Sequence, residues 1–306
     1  MIAGVRSKTR IAAAALLSAS FLAFAPSAQA SEDGHEANVP EVVFAHVADG
    51  NDITFENPIT GAAATFVLPE WKVQIGGTEL DLSPTRHTVF LWLAAVLVVG
   101  GVSIAARRRS LVPRGFYSVV EVFVKFIREE LAQKNIGKAH ADHYVPFLAT
   151  IFFLIFTANL LGLIPYFATA TANVNVTVGF AICTFVVTMY AGMKEQGIAG
   201  FWLGIVPKGV PLWLYPIMVP VEILGLFTKP FALTVRLFAN MVAGHIVLFF
   251  LLALIFLLQG AGAFVAPVSV AFATGIFFLE LFVALLQAYI FTMLSALFIG
   301  MASHPH

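Results

Sequence analysis

The chain has 306 residues, of which 59% are hydrophobic and 11% are charged, and its formal net charge is zero. With a mean hydropathy of +0.90, this composition is typical of a polytopic membrane protein and excludes an ordinary soluble domain. No basic excess is available to bind nucleic acid, and the single cysteine, Cys183, excludes a disulfide within the chain.

The first thirty residues predict a signal peptide. Basic residues up to Arg10 precede an apolar stretch over residues 11–25, and the sequence Ala-Gln-Ala at 28–30 is typical of a cleavage site. The apolar stretch is too short to span a bilayer directly, although an uncleaved signal anchor is the alternative, because its flanks can tilt into the interface. Either interpretation places the chain from residue 31 onward on the outer side of the membrane.

A polar, irregular segment follows over residues 31–86, and we expect it to be exported. Alternating fragments at 53–55, 65–68 and 72–75 are separated by Asn-Pro and Gly-rich turns. This pattern predicts short strands in a small segment on the outer face of the membrane.

Two groups of histidines raise the question of a metal site. His35, His46 and His87 occur without metal-ligand spacing, so we expect them to be solvated or interfacial. The sequence His-Ala-Asp-His at 140–143 stands beside the start of an apolar segment, where an interfacial turn is the favoured interpretation over a metal site. The sequence therefore predicts no metal centre.

Five apolar segments are long enough to cross a bilayer as helices. They cover residues 88–106, 144–164, 174–193, 211–258 and 264–301. Lysines and arginines concentrate after the first segment, before the second and after the third, which places those loops inside. The predicted fold is an all-α polytopic membrane protein whose membrane domain covers residues 87–306, with the amino terminus outside and the carboxyl terminus inside.

The last two segments are too long for straight crossings. At 1.5 Å per residue they would measure about 72 and 57 Å, whereas a bilayer core is about 30 Å thick. Pro216, Pro220 and Pro230 can break or kink the first of them. We expect the remainder to form a long, strongly tilted helical hairpin with its turn at residues 259–263.

Arg236 is the most informative residue of this hairpin, because it interrupts a long apolar run. An Arg at the bilayer centre costs about 2.5–3.5 kcal/mol on insertion scales, and a charge there indicates function by default. An Arg side chain keeps its proton in proteins, so it is a fixed positive charge and not a proton carrier. We expect its partner to be a carboxylate.

Other polar side chains of the hairpin fall into a pattern around Arg236. Asn240 shares its face, whereas His245, nine residues on, lies on the opposite face. Glu280 and Gln287 are seven residues apart and nearly in line, and antiparallel pairing places His245 at the level of Glu280. A proton route open to the outer side is one interpretation, and hydrogen bonds that only hold the helices together are the other.

Four motifs in order are similar to those of the subunit a family of rotary F-type ATP synthases. They occupy residues 159–165, 173–177, 228–245 and 286–291. The resemblance implies a non-catalytic stator subunit in the bacterial inner membrane that translocates protons through two half-channels to a rotating ring of c subunits. It implies contacts with the c ring, with b subunits of the peripheral stalk and with other synthase subunits, and no cofactor.

The same resemblance implies roles for individual residues. Arg236 matches the family's essential arginine, which attracts the deprotonated ring carboxylate and blocks a proton leak between the half-channels. The resemblance places His245, Glu280 and Gln287 in the outer half-channel and Asn240 beside the arginine. It places Glu222 in the inner half-channel, and Asn173 and Asn175 in a polar outer segment that lines the entrance.

This chain departs from the family pattern at one pair. His245 stands where several bacterial relatives have an acid, and Glu280 where they have His, which leaves the order of proton transfers open. The coupling ion is also open between H⁺ and Na⁺, with the His and Glu pair favouring H⁺. A secondary transporter with Arg236 as an anion site, and an intramembrane hydrolase, are the rivals, but neither inverted repeats nor a catalytic motif is present.

Overall fold

In the computed structural model of the protein, the described residues are 50–56, 63–69, 71–75, 78–81, 83–107, 115–164, 167–203, 212–258 and 262–303. The predicted signal peptide, His35, His46 and most of the predicted hairpin turn lie outside these residues.

Two antiparallel hairpins precede the membrane domain. Strand β1 (Asp52–Glu56) pairs with β2 (Ala63–Val67), and β3 (Lys72–Ile75) pairs with β4 (Thr78–Asp81). The sequence predicted the first three strands and missed β4. A backbone hydrogen bond of 3.0 Å from the Arg86 amide to the Gly50 carbonyl connects the first hairpin to the start of the first helix.

The described chain is otherwise helical. The helices are α1 (Arg86–Arg107), α2 (Phe116–Phe126), a π-helical turn (Ile127–Ala132), α3 (Gln133–Ile136), α4 (Ala141–Gly162), α5 (Val174–Gln196), α6 (Ile198–Leu203), α7 (Tyr215–Leu257) and α8 (Gly262–Ser303). Short 3₁₀ turns cover Ala170–Ala172 and Leu212–Leu214. Five of these helices, α1, α4, α5, α7 and α8, are long and apolar enough to cross a membrane, which confirms the five predicted spans.

The segment from α2 to α3 was not predicted. It is amphipathic and carries exposed ion pairs, of which Arg128 with Asp142 is bidentate, with distances of 2.8 and 2.6 Å. The hydrogen bond to Asp142 raises the pKa of Arg128. At the same end, His140 Nδ1 lies 3.2 Å from a Glu195 carboxylate oxygen. Such exposed pairs contribute little to stability, and they make this end of the protein polar.

Helix α7 is continuous despite its prolines. Pro216 stands in its first turn, where a missing amide hydrogen costs little, and Pro220 and Pro230 lie inside the helix. Of the break or kink that the sequence allowed at these prolines, a break does not occur, since the helix runs for 43 residues. This length corresponds to about 64 Å, so α7 must be strongly inclined to lie within a bilayer core.

The main core surrounds α8, which packs against α4, α5 and α7. Leu148, Phe152 and Ile155 of α4 are almost fully buried, as is Leu237 of α7. Small residues let the helices approach closely: a Cβ at Gly300 of α8 would overlap the backbone carbonyl of Asn135. This packing fixes the position of α8 against the rest of the protein.

Candidate functional site

Arg236 lies at the midpoint of α7, with 21 residues of the helix on either side. Its side chain is exposed, together with those of Ala232, Ala239 and Ala243, whereas Leu237 on the other side of the helix is buried. Within the described residues it has neither an ion pair nor a hydrogen bond. A guanidinium facing hydrocarbon would cost at least about 2.5 kcal/mol, so this face requires a partner that carries opposite charge or water.

His245 and Glu280 meet between the two helices of the hairpin, as the sequence predicted. The His245 Nδ1 atom lies 3.6 Å from Glu280 Oε1, and both side chains are largely buried. No hydrogen-bond partner of Glu280 Oε1 occurs within the described residues. Direct proton transfer needs a separation of about 2.6–3.2 Å. A movement of about 0.5 Å would bring the two groups into this range.

The segment between α4 and α5 completes the surroundings of His245. Thr169, which the sequence did not single out, is buried and places its hydroxyl 2.9 Å from His245 Nε2. The same nitrogen lies 3.2 Å from the Gly162 carbonyl, and Nδ1 lies 2.9 Å from the Met241 carbonyl. Each ring nitrogen thus has an acceptor within reach, so the imidazole can carry a hydrogen on either side.

His87 was expected to be solvated or interfacial, and the structure shows that its side chain is not solvated. Its side chain is only 3% exposed, and its Nδ1 atom lies 2.9 Å from the Thr169 carbonyl. The sequence hid this contact because the partner lies 82 positions away in a segment with no charge. Thr169 is thereby held between two histidines.

Two glycines provide the space for this arrangement. A Cβ at Gly244 would overlap the Glu280 carboxyl group, and a Cβ at Gly162 would overlap the Thr169 side chain. The two side chains that these methyl groups would displace, those of Glu280 and Thr169, are the ones that lie next to His245. Glycine at these two positions therefore allows the polar cluster to form within closely packed helices.

Gln287 lies deeper in the same hairpin. Two contacts define how the antiparallel helices α7 and α8 are aligned: His245 lies beside Glu280, and Lys229 Nζ lies 5.5 Å from the centre of the Phe298 ring. Gln287 falls between these two contacts along α8. The alignment places it opposite the part of α7 near Asn240, within about one turn of Arg236. Gln287 is buried and Asn240 is half-buried.

The remaining predicted residues lie apart from this cluster. Glu222 is half-buried on α7, 14 residues before Arg236 and thus about 21 Å away along the helix. Asn173 caps α5, since its Oδ1 atom accepts a hydrogen bond of 2.8 Å from the Asn175 amide, and the Asn175 side chain is exposed. The cap gives Asn173 a structural role at the place where a role in lining the half-channel was predicted.

No metal site is evident in the described part of the chain, because no three His, Cys, Asp or Glu side chains are grouped to hold an ion.

Comparison with known proteins identifies the family. The model of the family described as "ATP synthase A chain" matches residues 88–300. The chain belongs to the ATP synthase A chain family. Its relatives include ATP synthase subunit a of Myxococcus xanthus, which is 52% identical over 84% of this chain and 92% of the relative. ATP synthase subunit a of Chloroherpeton thalassium is 50% identical over 84% of this chain and 75% of the relative.

Family membership decides between the alternatives that the sequence left open. As a member of the ATP synthase A chain family, the chain is a multi-pass, non-catalytic, proton-translocating stator component of the synthase membrane sector, and it associates with other synthase subunits. It is neither a self-contained transporter nor an intramembrane hydrolase.

Proposed function

We propose that Arg236 faces the ring of c subunits and holds the deprotonated ring carboxylate. The single observation that carries this proposal is its exposed guanidinium at the midpoint of α7, which has no partner among the residues that the structure describes. Ala232, Ala239 and Ala243 beside it leave room for another helix to approach closely. Because the charge is fixed, it also prevents protons from passing directly between the two half-channels.

The outer half-channel, in this proposal, delivers protons through His245 and Glu280. Thr169 supplies a hydroxyl that can accept one hydrogen bond while it donates another, and it faces Nε2 of His245. The opposite nitrogen faces Glu280. A proton gained at Nε2 and lost from Nδ1 would therefore pass from the outer loop to Glu280, so this order of transfers is the one that the geometry favours.

From Glu280 the route would continue toward Arg236. Gln287 lies on the same helix, near the level of Asn240, and both amides can orient water or the ring carboxylate. Glu222, closer to the start of α7, is proposed for the inner half-channel, and Asn173 with Asn175 for the outer opening. The Asn173 cap supports this last role only indirectly, by fixing the start of α5.

Further proposals concern the cellular setting. We place the protein in the bacterial inner membrane, with residues 1–30 removed as a signal peptide, residues 31–86 on the outer face and residues 87–306 as the membrane domain. The amino terminus is then outside and the carboxyl terminus in the cytoplasm. The c ring covers the Arg236 face, and b subunits contact the membrane domain elsewhere. No cofactor is required.

ATP-driven acidification of inverted membrane vesicles tests the role of Arg236. Arg236→Ala should abolish acidification while the complex stays assembled, because it removes the guanidinium that would hold the ring carboxylate. Thr228→Ala is the matched control: Thr228 is exposed on the same helix and its hydroxyl bonds only to its own helix, at the Gly225 carbonyl. Acidification by Arg236→Ala at the wild-type rate per complex would refute the proposal.

An exchange of His245 and Glu280 tests the outer half-channel. Since both groups can carry a proton and both point into one interhelical space, the exchanged protein should pump more than either single Ala variant. Equal loss in the exchange and in the single variants would contradict a relay by this pair. Normal pumping in His245→Ala or Glu280→Ala would remove that residue from the pathway.

A further inference from the structure

Thr169 has a contact on its far side that the route through His245 does not use. Its hydroxyl faces His245 Nε2, while its backbone carbonyl lies 2.9 Å from His87 Nδ1. His87 stands in the first turn of α1, on a different span from either helix of the hairpin. Both Thr169 and His87 are buried, at 4% and 3% exposure, so water does not replace this contact readily.

We propose that His87 is a positioning residue of the outer half-channel, which fixes the Thr169 hydroxyl against His245 for proton transfer. This inference rests on the proposed role of His245. A carbonyl oxygen only accepts hydrogen bonds, so His87 must carry its hydrogen on Nδ1. Because a backbone carbonyl cannot pass a proton onward, His87 acts on the pathway through the geometry of Thr169 and not as a proton carrier.

The segment that holds Thr169 needs such an anchor. Residues 167–169 belong to no helix or strand, and Thr169 has extended backbone angles. Among the described residues, the local backbone hydrogen bonds of this stretch run only from the Phe167 amide to the Ile164 carbonyl and from the Ala172 amide to the Thr169 carbonyl, within the same short segment. On the following turn, the Thr171 hydroxyl donates a hydrogen bond of 2.5 Å to Asn159 of α4. The segment is thus fixed to α4 by Thr171 and to α1 by His87, and both attachments lie within two residues of the hydroxyl that faces His245.

The choice of replacement at position 87 separates positioning from proton carrying. Asn can offer an amide N–H close to the place of the His Nδ1–H but does not titrate, whereas Leu fills similar space without a donor. His87→Asn should therefore retain at least about half of the wild-type pumping per complex. His87→Leu should lower it roughly five- to ten-fold, since a buried hydrogen bond in the transfer geometry is lost.

A second set of variants links the effect to Thr169. Thr169→Val removes the hydroxyl and should reduce pumping at least as much as His87→Leu, whereas Thr169→Ser should restore it. The double variant of His87→Leu with Thr169→Val should be no worse than Thr169→Val alone, because the His87 contact acts only through the Thr169 hydroxyl, which Thr169→Val has already removed. Thr88→Val is the matched control, since Thr88 is the next residue of α1 and its hydroxyl pairs with Thr85.

Acidification by inverted vesicles, normalised to the assembled complex, distinguishes the outcomes. Pumping by His87→Asn that is as low as that of Thr169→Val would overturn the inference, as would wild-type pumping by His87→Leu. Should the Leu variant fail to assemble, the comparison of His87→Asn with Thr169→Val decides alone. The His245→Ala variant, measured in parallel, distinguishes failure of the proposed half-channel from failure of the role of His87. Normal pumping by His245→Ala would refute the half-channel. An inactive His245→Ala together with an unimpaired His87→Leu would refute only the role of His87.

Discussion

Gly244 offers a test of how closely proton transfer depends on the position of Glu280. An alanine Cβ at this position would overlap the Glu280 carboxyl group. The atoms in its way belong to the far end of a flexible side chain, so the backbone of α8 need not move. To reach an ordinary van der Waals separation from the new methyl group, the carboxylate must retreat by roughly 1 Å or more.

Gly244→Ala should lower the rate of proton transfer between His245 and Glu280 much more than it lowers the stability of the complex. The distance of 3.6 Å between His245 Nδ1 and Glu280 Oε1 is already longer than a hydrogen bond. A misplacement of about 1 Å in a reacting pair can lower a rate by about a hundred-fold. Alanine is the better helix former by about 1 kcal/mol, which offsets the cost of moving the side chain. We therefore expect an assembled complex with pumping reduced at least about ten-fold.

The assay is ATP-driven acidification of inverted vesicles, with the amount of complex and its thermal midpoint measured on the same samples. Gly179→Ala on α5 is the matched control, because an added Cβ there meets nothing within 4 Å. Pumping by Gly244→Ala within two-fold of wild type, at equal complex content, would refute the reasoning. Loss of assembly in Gly244→Ala would show that the Glu280 side chain cannot move as supposed.

Three further changes have distinct expected outcomes. Gly300→Ala should reduce the amount of assembled complex, as seen by immunoblotting, because its Cβ would overlap the backbone carbonyl of Asn135, which cannot rotate away. Thr171→Val should lower the free energy of unfolding by about 1–3 kcal/mol, since it removes the hydrogen bond to the fully buried Asn159. A lower thermal midpoint would report this loss. Arg236→Lys should assemble but pump far below the wild-type rate, because an ammonium lacks the planar, delocalised fork of guanidinium.

The spans could be predicted because a bilayer imposes a simple length requirement. Any apolar helix of about 20 residues satisfies it, and the five predicted segments match α1, α4, α5, α7 and α8. Length alone could not decide whether the prolines break the fourth segment: Pro220 and Pro230 lie inside the continuous helix α7, since a membrane helix can re-satisfy the freed backbone groups locally.

Only part of the candidate site could be predicted. The pairing of His245 with Glu280 follows from helical spacing about a turn, which is local information. The contacts of Thr169 and His87 depend instead on how the segment between α4 and α5 folds back among three spans. Thr169 lies 76 residues from His245, and neither its type nor its neighbours distinguish it from an ordinary outer loop.

Glu280 and Arg236, two ionisable residues of the hairpin, lie in opposite environments. Glu280 is buried against His245, with space made for it by Gly244, so a group that exchanges its proton meets its partner inside this chain. Arg236 cannot give up its proton and lies exposed without a partner among the described residues. A fixed charge paired within the chain would be neutralised permanently, whereas an unpaired one can hold successive carboxylates that move past it. The exposed position of Arg236 is therefore the arrangement that the proposed contact with a rotating ring requires.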